Sequence, residues 1–160
     1  MIPLWVYNLP MKLISEAANK HGLDKNLVCA IVDVESGGKT NSSRYEPSFR
    51  YLYKVDKFAK MQGLSNFTEE AHQKTSWGLM HVMGAVAREL GFNGHLPQLT
   101  NPHVGLEYGC KKLSQLYKKY LNMEDVIASY NAGSPRMVMD LYVNQSYINS
   151  VLKRYKDLNN

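Results

Sequence analysis

The residues best suited to chemistry lie in three short segments along the chain: Glu35-Ser36-Gly37-Gly38, Gly78-Leu79-Met80-His81 and Ala128-Ser129-Tyr130-Asn131-Ala132-Gly133. The first delivers one carboxylate at the close of an apolar helical run. The other two return glycine-hinged polar groups later in the sequence. One positioned acid with polar partners is the minimum apparatus for acid-catalysed cleavage of a sugar chain.

The element that must position the acid is Asn26-Leu27-Val28-Cys29-Ala30-Ile31-Val32-Asp33-Val34. Its apolar residues cover so much of a helical surface that the run reads as a buried core helix. A carboxylate in the last turn then sits beside apolar packing, where desolvation disfavours the charged form. That raises the pKa of Glu35 and keeps a proton available near neutral pH for a leaving glycosidic oxygen. Taken alone, the same residues also describe an exposed glutamate at a fraying helix end, with Gly37 and Gly38 as left-handed stops.

Together the three segments resemble the lytic transglycosylases and goose-type lysozymes of the lysozyme-like superfamily. The marks of that family are a Glu-Ser pair, a Gly-Leu-Met-Gln segment and Ala-x-Tyr-Asn-Ala-Gly, and here they stand at Glu35-Ser36, Gly78 to His81 and Ala128 to Gly133. Asn101-Pro102 and Gly105 open the helix that the family places between the last two. Each motif is weak singly, but three in order within one small chain form a strong signal. The resemblance implies that Glu35 is the sole catalytic acid and base and that Tyr130 hydrogen-bonds it. It also implies that Met80 and Asn131 line the cleft beside the sugars; Ser36, Glu46 and His81 are further candidate substrate-binding positions.

Two departures from the family pattern matter. His81 stands where glutamine is usual; imidazole still donates to or accepts from a sugar, but its charge changes near neutral pH. The stretch between Glu35 and Gly78 is also longer than in compact transglycosylases, and it holds Arg44-Tyr45-Glu46-Pro47-Ser48-Phe49-Arg50-Tyr51-Leu52-Tyr53. In a transglycosylase the carboxylate that protonates the leaving oxygen then takes the proton of the muramic acid 6-hydroxyl, giving a 1,6-anhydro end without a second carboxylate. In a hydrolase a second carboxylate commonly activates water or steadies the oxocarbenium ion, and Glu46 and Asp56 are the candidates. Goose-type lysozymes carry an aspartate just before Gly-Leu-Met-Gln, whereas Lys74-Thr75-Ser76-Trp77 offers none. Transglycosylation is therefore expected, with an N-acetylmuramidase hydrolase using Glu46 as the alternative. Glu46 in a surface ion pair with Arg44 or Arg50 is the plainer reading of that residue. Chitin cleavage is a further substrate alternative, and a catalytically inactive wall-binding or virion module is the non-enzyme one.

The chain has 160 residues, 44% of them hydrophobic, so it can bury one core without staples, and no polar linker divides it. A single catalytic domain over 1–160, acting as a monomer, is expected. A net charge of +5, from 19 basic and 14 acidic residues, gives mild attraction to anionic wall polymers and peptide-stem carboxylates. The Lys111-Lys112 and Lys118-Lys119 pairs alternate with apolar residues as on an ordinary amphipathic helix with a solvated face, so nucleic acid is not an expected partner. Cys29 and Cys110 sit in apolar helical settings and read as buried free thiols, with a disulfide as the alternative. His21, His72, His81, His95 and His103 are scattered, so neither metal nor cofactor is expected. The apolar start from Met1 to Pro10 has no basic leader or small-residue cleavage site and is too short to span a membrane. Synthesis in a host cytoplasm followed by action on the wall is the expectation, as for a bacteriophage endolysin or a virion component.

Helices are expected near residues 11 to 21, 24 to 35, 68 to 73, 79 to 90, 101 to 120, 123 to 131 and 143 to 156, with Asp24 and Thr68 as N-caps and Pro102 in a first turn. Strand alternation is nearly absent, and residues 44 to 53 suit a short hairpin or an irregular cleft wall. The expected fold class is all-α, lysozyme-like, mostly helical with at most a minor β hairpin.

Overall fold

A computed structural model describes residues 1–160. In chain order the helices are α1 (Met11–Lys20), α2 (Lys25–Ser36), α3 (Val55–Gln62), α4 (Asn66–Gln73), α5 (Gly84–Glu89), α6 (Pro102–Lys119), α7 (Met123–Ala132) and α8 (Gln145–Asn159). The strands are β1 (Ser43–Tyr45), β2 (Thr75–Trp77), β3 (Val82–Met83), β4 (Met137–Val138) and β5 (Leu141–Tyr142), so the fold is mostly helical as expected. No helix is long and apolar enough to cross a membrane. The chain packs as two compact units, Met1–Gly38 with Cys110–Asn160, and Lys39–Gly109.

In the first unit α2 is the central element, packed against α8 and α1. Asp24 caps it, its Oδ1 accepting from the Asn26 N–H at 2.8 Å, and Gly37 closes it in the left-handed conformation at φ 60°. Leu27, Val28, Cys29, Ala30, Ile31 and Val32 are all fully buried. Six consecutive residues exceed one helical turn, so burial surrounds this helix as the sequence suggests. Each aliphatic side chain buried this way contributes about 1.5–3 kcal/mol. The packing therefore fixes α2 and leaves the position of its last turn little freedom. Cys29 and Cys110 are both free and buried.

The second unit is built on a three-stranded antiparallel sheet in the order β1-β2-β3, with Arg44 opposite Ser76 and Trp77 opposite Val82. Its helices differ from expectation in three places. Residues 79 to 83 do not begin a helix: Gly78 to His81 form the turn between β2 and β3, and α5 starts only at Gly84. Gly78 at φ 77° and His81 at φ 46° both take the left-handed conformation, which stops a helix whatever the apolar spacing. Ser65, not Thr68, caps α4, its Oγ accepting from the Thr68 N–H at 3.1 Å. Helix α3 was not expected at all. The added stretch contributes β1 and then runs irregularly to residue 54.

That stretch is anchored by a buried polar cluster. Gln73 pairs with the Tyr53 backbone through both amide atoms, each at 2.8 Å, and donates to Glu69 Oε1 at 3.1 Å. Glu69 in turn accepts from Arg88, at 2.7 Å from Nε and 3.0 Å from Nη2.

Candidate active site

Glu35 lies half-buried in the last turn of α2. Three side chains of the first unit respond to its charge: Lys112 from α6, Tyr130 from α7 and Tyr147 from α8. Tyr130 is buried, and its pKa is held well above the ordinary tyrosine range, first by desolvation and then by the negative charge of Glu35. Tyr147 is shifted upward for the same two reasons in the same order. Both phenols therefore stay protonated at neutral pH and remain donors toward a carboxylate. Lys112 moves the other way: burial pushes its ammonium down to about 8, with the Glu35 charge opposing the fall.

The helices place these groups through ordinary local chemistry. Asn122 Oδ1 caps α7 by accepting from the Asp125 N–H at 2.8 Å, and Gly133 closes it at φ 85°, which holds Tyr130 and Asn131 in its last turn. Asn131 is exposed, and its Oδ1 accepts from Asn144 Nδ2 at 2.9 Å; the same amide donates to the Ala128 carbonyl at 3.0 Å. Asn144, just ahead of α8, thus orients the motif asparagine. The Tyr147 hydroxyl is shut away from solvent; its contact with the Glu35 carboxylate falls short of good hydrogen-bond geometry yet adds to the rise in its pKa. Ser36 is occupied locally, donating to the Val32 carbonyl at 3.1 Å and accepting from the Gly38 N–H at 3.3 Å.

The remaining residues singled out in the sequence belong to the second unit. Met80, expected beside the sugars, has no exposed surface. Its side chain fills the room left by Gly109 of α6, where a Cβ would come within 2.3 Å of the Met80 Sδ. Met80 thereby seats the turn that carries His81. The imidazole Nε2 of His81 lies 2.5 Å from Ser42 Oγ, and the Ser42 carbonyl accepts from the Gly78 N–H at 2.7 Å, so one serine ties both ends of the turn. Desolvation, then Arg44, lowers the His81 pKa, against a smaller opposing effect of Glu46. His81 is consequently neutral at pH 7, and the charge change expected of it falls on the acid side. Glu46 is partly exposed and pairs with Arg44, Oε1 to Nε at 2.9 Å, which is the ion pair considered for it.

The sequence reading missed Lys112, Tyr147 and Asn144. Lys112 was grouped with Lys111 on a solvated face. Its spacing from Gly105 and Gly109 is the signal that could have found it, because residues three or four apart share one helix face and those two glycines are buried. Tyr147 carries no local signal beyond its place on an amphipathic helix. No group of three or more His, Cys, Asp or Glu side chains is arranged to hold a metal ion.

The model of one family, described as Transglycosylase SLT domain, matches residues 12–152. No curated protein matches the chain. Because the family match runs from α1 into α8 and takes in every segment described above, the chain belongs to the transglycosylase SLT domain family and is a lytic transglycosylase-type enzyme, cleaving glycosidic bonds of peptidoglycan.

Proposed function

We propose that Glu35 cleaves the β-1,4 bond between N-acetylmuramic acid and N-acetylglucosamine by acting first as acid and then as base. Its carboxyl proton passes to the glycosidic oxygen as the bond to muramic acid C1 breaks. The resulting carboxylate then takes the proton of the muramic acid 6-hydroxyl while O6 bonds to C1, so Glu35 ends protonated and no water is consumed. The observation that carries this reading is the company Glu35 keeps: a lysine and two tyrosines respond to its charge. A cation and neutral phenols suit a carboxyl group that must lose and regain one proton. The ion pair between Glu46 and Arg44 supports a structural part for Glu46 and weakens the hydrolase alternative.

Glu35→Gln, nearly isosteric but unable to deliver a proton, is expected to reduce lysis of purified walls about a hundred- to ten-thousand-fold with the fold intact. A folded variant keeping more than half its activity would remove Glu35 from the mechanism. Mass spectrometry of the wild-type digest is expected to show 1,6-anhydromuramic ends, lighter by one water than reducing ends. Finding reducing ends alone would move the enzyme to the hydrolases, and Glu46→Gln would then be expected to abolish lysis.

A further inference from the structure

Lys112 enters this site from α6, and its setting is unusual for a lysine. Its Nζ donates to the Tyr130 carbonyl at 2.6 Å and stands 4.0 Å from the centroid of the Tyr130 ring. A cation at that distance over an aromatic face is attracted by the ring quadrupole, and more strongly where water is excluded. The carbonyl and the ring belong to the same residue, so the ammonium grips Tyr130 at two points.

We propose that Lys112 is a positioning residue for the acid: gripping Tyr130 by carbonyl and ring, its ammonium fixes that tyrosine and holds a positive charge within reach of Glu35 as the carboxyl gives up its proton. This rests on Glu35 as the proton donor. The titratable groups that act on the pair include Glu35 from α2, Tyr130 from α7, Tyr147 from α8 and Cys110 from α6 itself. Their raised pKa values keep both tyrosines neutral, which leaves the Glu35 carboxylate as the charge that Lys112 meets. A nearby cation favours the ionised carboxylate, so it makes Glu35 a stronger acid in the bond-breaking step. It also places the alkaline limb of activity, where the protonated acid is lost, at lower pH than Glu35 would reach without it.

The coupling is reciprocal, since whatever Lys112 does to the ionisation of Glu35, Glu35 does equally to Lys112. Two measurements follow. In the pH profile of kcat/KM on soluble glycan fragments, Lys112→Met is expected to move the alkaline limb upward by on the order of one pH unit, and Lys112→Arg, which keeps the charge, to restore it. A limb that stays put in Lys112→Met while the melting temperature drops would reduce Lys112 to packing and overturn the proposal. Should Lys112→Met fail to fold, the titration of Lys112 followed by NMR in 13C-lysine-labelled protein replaces it. The midpoint is expected to fall in Glu35→Gln, where the opposing carboxylate is gone, and identical midpoints in the two proteins would overturn the proposal. Retention of wall lysis by Glu35→Gln would instead sink the assignment of the acid, whichever way Lys112 titrates.

Discussion

Arg88 in the second unit and Lys112 in the first are cations drawn out of water, and they are treated in opposite ways. Arg88 is fully buried, and its guanidinium is met on every side. It makes a forked pair with Glu69, donates to the Phe92 and Gly94 carbonyls at 2.9 and 2.7 Å, and lies 4.5 Å from the centroid of Phe58. Lys112 has one carbonyl, one ring face and the opposing charge of Glu35. In the same unit the Tyr147 hydroxyl, the Asn144 Oδ1 and the Ser129 hydroxyl are buried without a well-formed protein hydrogen bond. Saturated polar groups hold structure, because a buried charge is tolerated only with good geometry and every donor engaged. An unsaturated one that feels a carboxylate, as Tyr147 feels Glu35, keeps capacity for a substrate or a proton, and perturbed ionisation gathers where chemistry is done. The contrast separates scaffold from site without recourse to motifs.

The largest effect that would break this contrast lies on the scaffold side. Arg88→Met leaves Glu69 buried and uncompensated, which typically costs about 3–5 kcal/mol, a large share of the roughly 5–15 kcal/mol that stabilises a domain. Replacing both partners with apolar residues, Arg88→Met with Glu69→Leu, should recover most of that loss, because no lone charge remains. Lys112→Met should cost far less stability, as it removes one hydrogen bond and a partly desolvated charge. Denaturant midpoints for the three proteins check this ordering. An Arg88→Met variant within about 1 kcal/mol of wild type would show that the buried fork is not what holds the second unit together.

The same contrast explains what the sequence made legible. Helix α2 could be read because its apolar run, the Asp24 cap and the left-handed Gly37 all speak locally, and with it came Glu35 and the site at its end. Tyr130 and Asn131 came through their motif, which the resemblance placed beside Glu35. Helix α3 was invisible because its N-terminal neighbour Lys54 takes φ 45° and makes no side-chain cap, so no start signal exists. The β2–β3 turn was read as helix because His81 adopts a left-handed backbone that composition does not announce. Lys112 and Tyr147 were lost for a different reason. What matters about them is the approach of α6 and α8 residues to the end of α2, and that proximity is created by packing between segments far apart in sequence.

The smaller prediction tests the site side of the contrast at a single atom. A buried hydroxyl without a well-formed hydrogen bond costs about 1–3 kcal/mol of desolvation, so Tyr147→Phe, which keeps the ring and removes that oxygen, should stabilise the fold by about 1 kcal/mol. For a chain of this size that corresponds to a rise of roughly 2–4 °C in melting temperature. If the hydroxyl also addresses Glu35 during proton transfer, turnover should fall by about tenfold, the equivalent of one net hydrogen bond of ~1.4 kcal/mol. Melting temperature and lysis rate measured on one preparation therefore move in opposite senses, higher stability with lower activity. A packing residue gives the reverse, since trimming a hydroxyl that served the core lowers the melting temperature and leaves the specific rate of the folded enzyme alone. That second pattern would place Tyr147 with Arg88 in the scaffold and confine the site to Glu35, Tyr130 and the lysine that grips it.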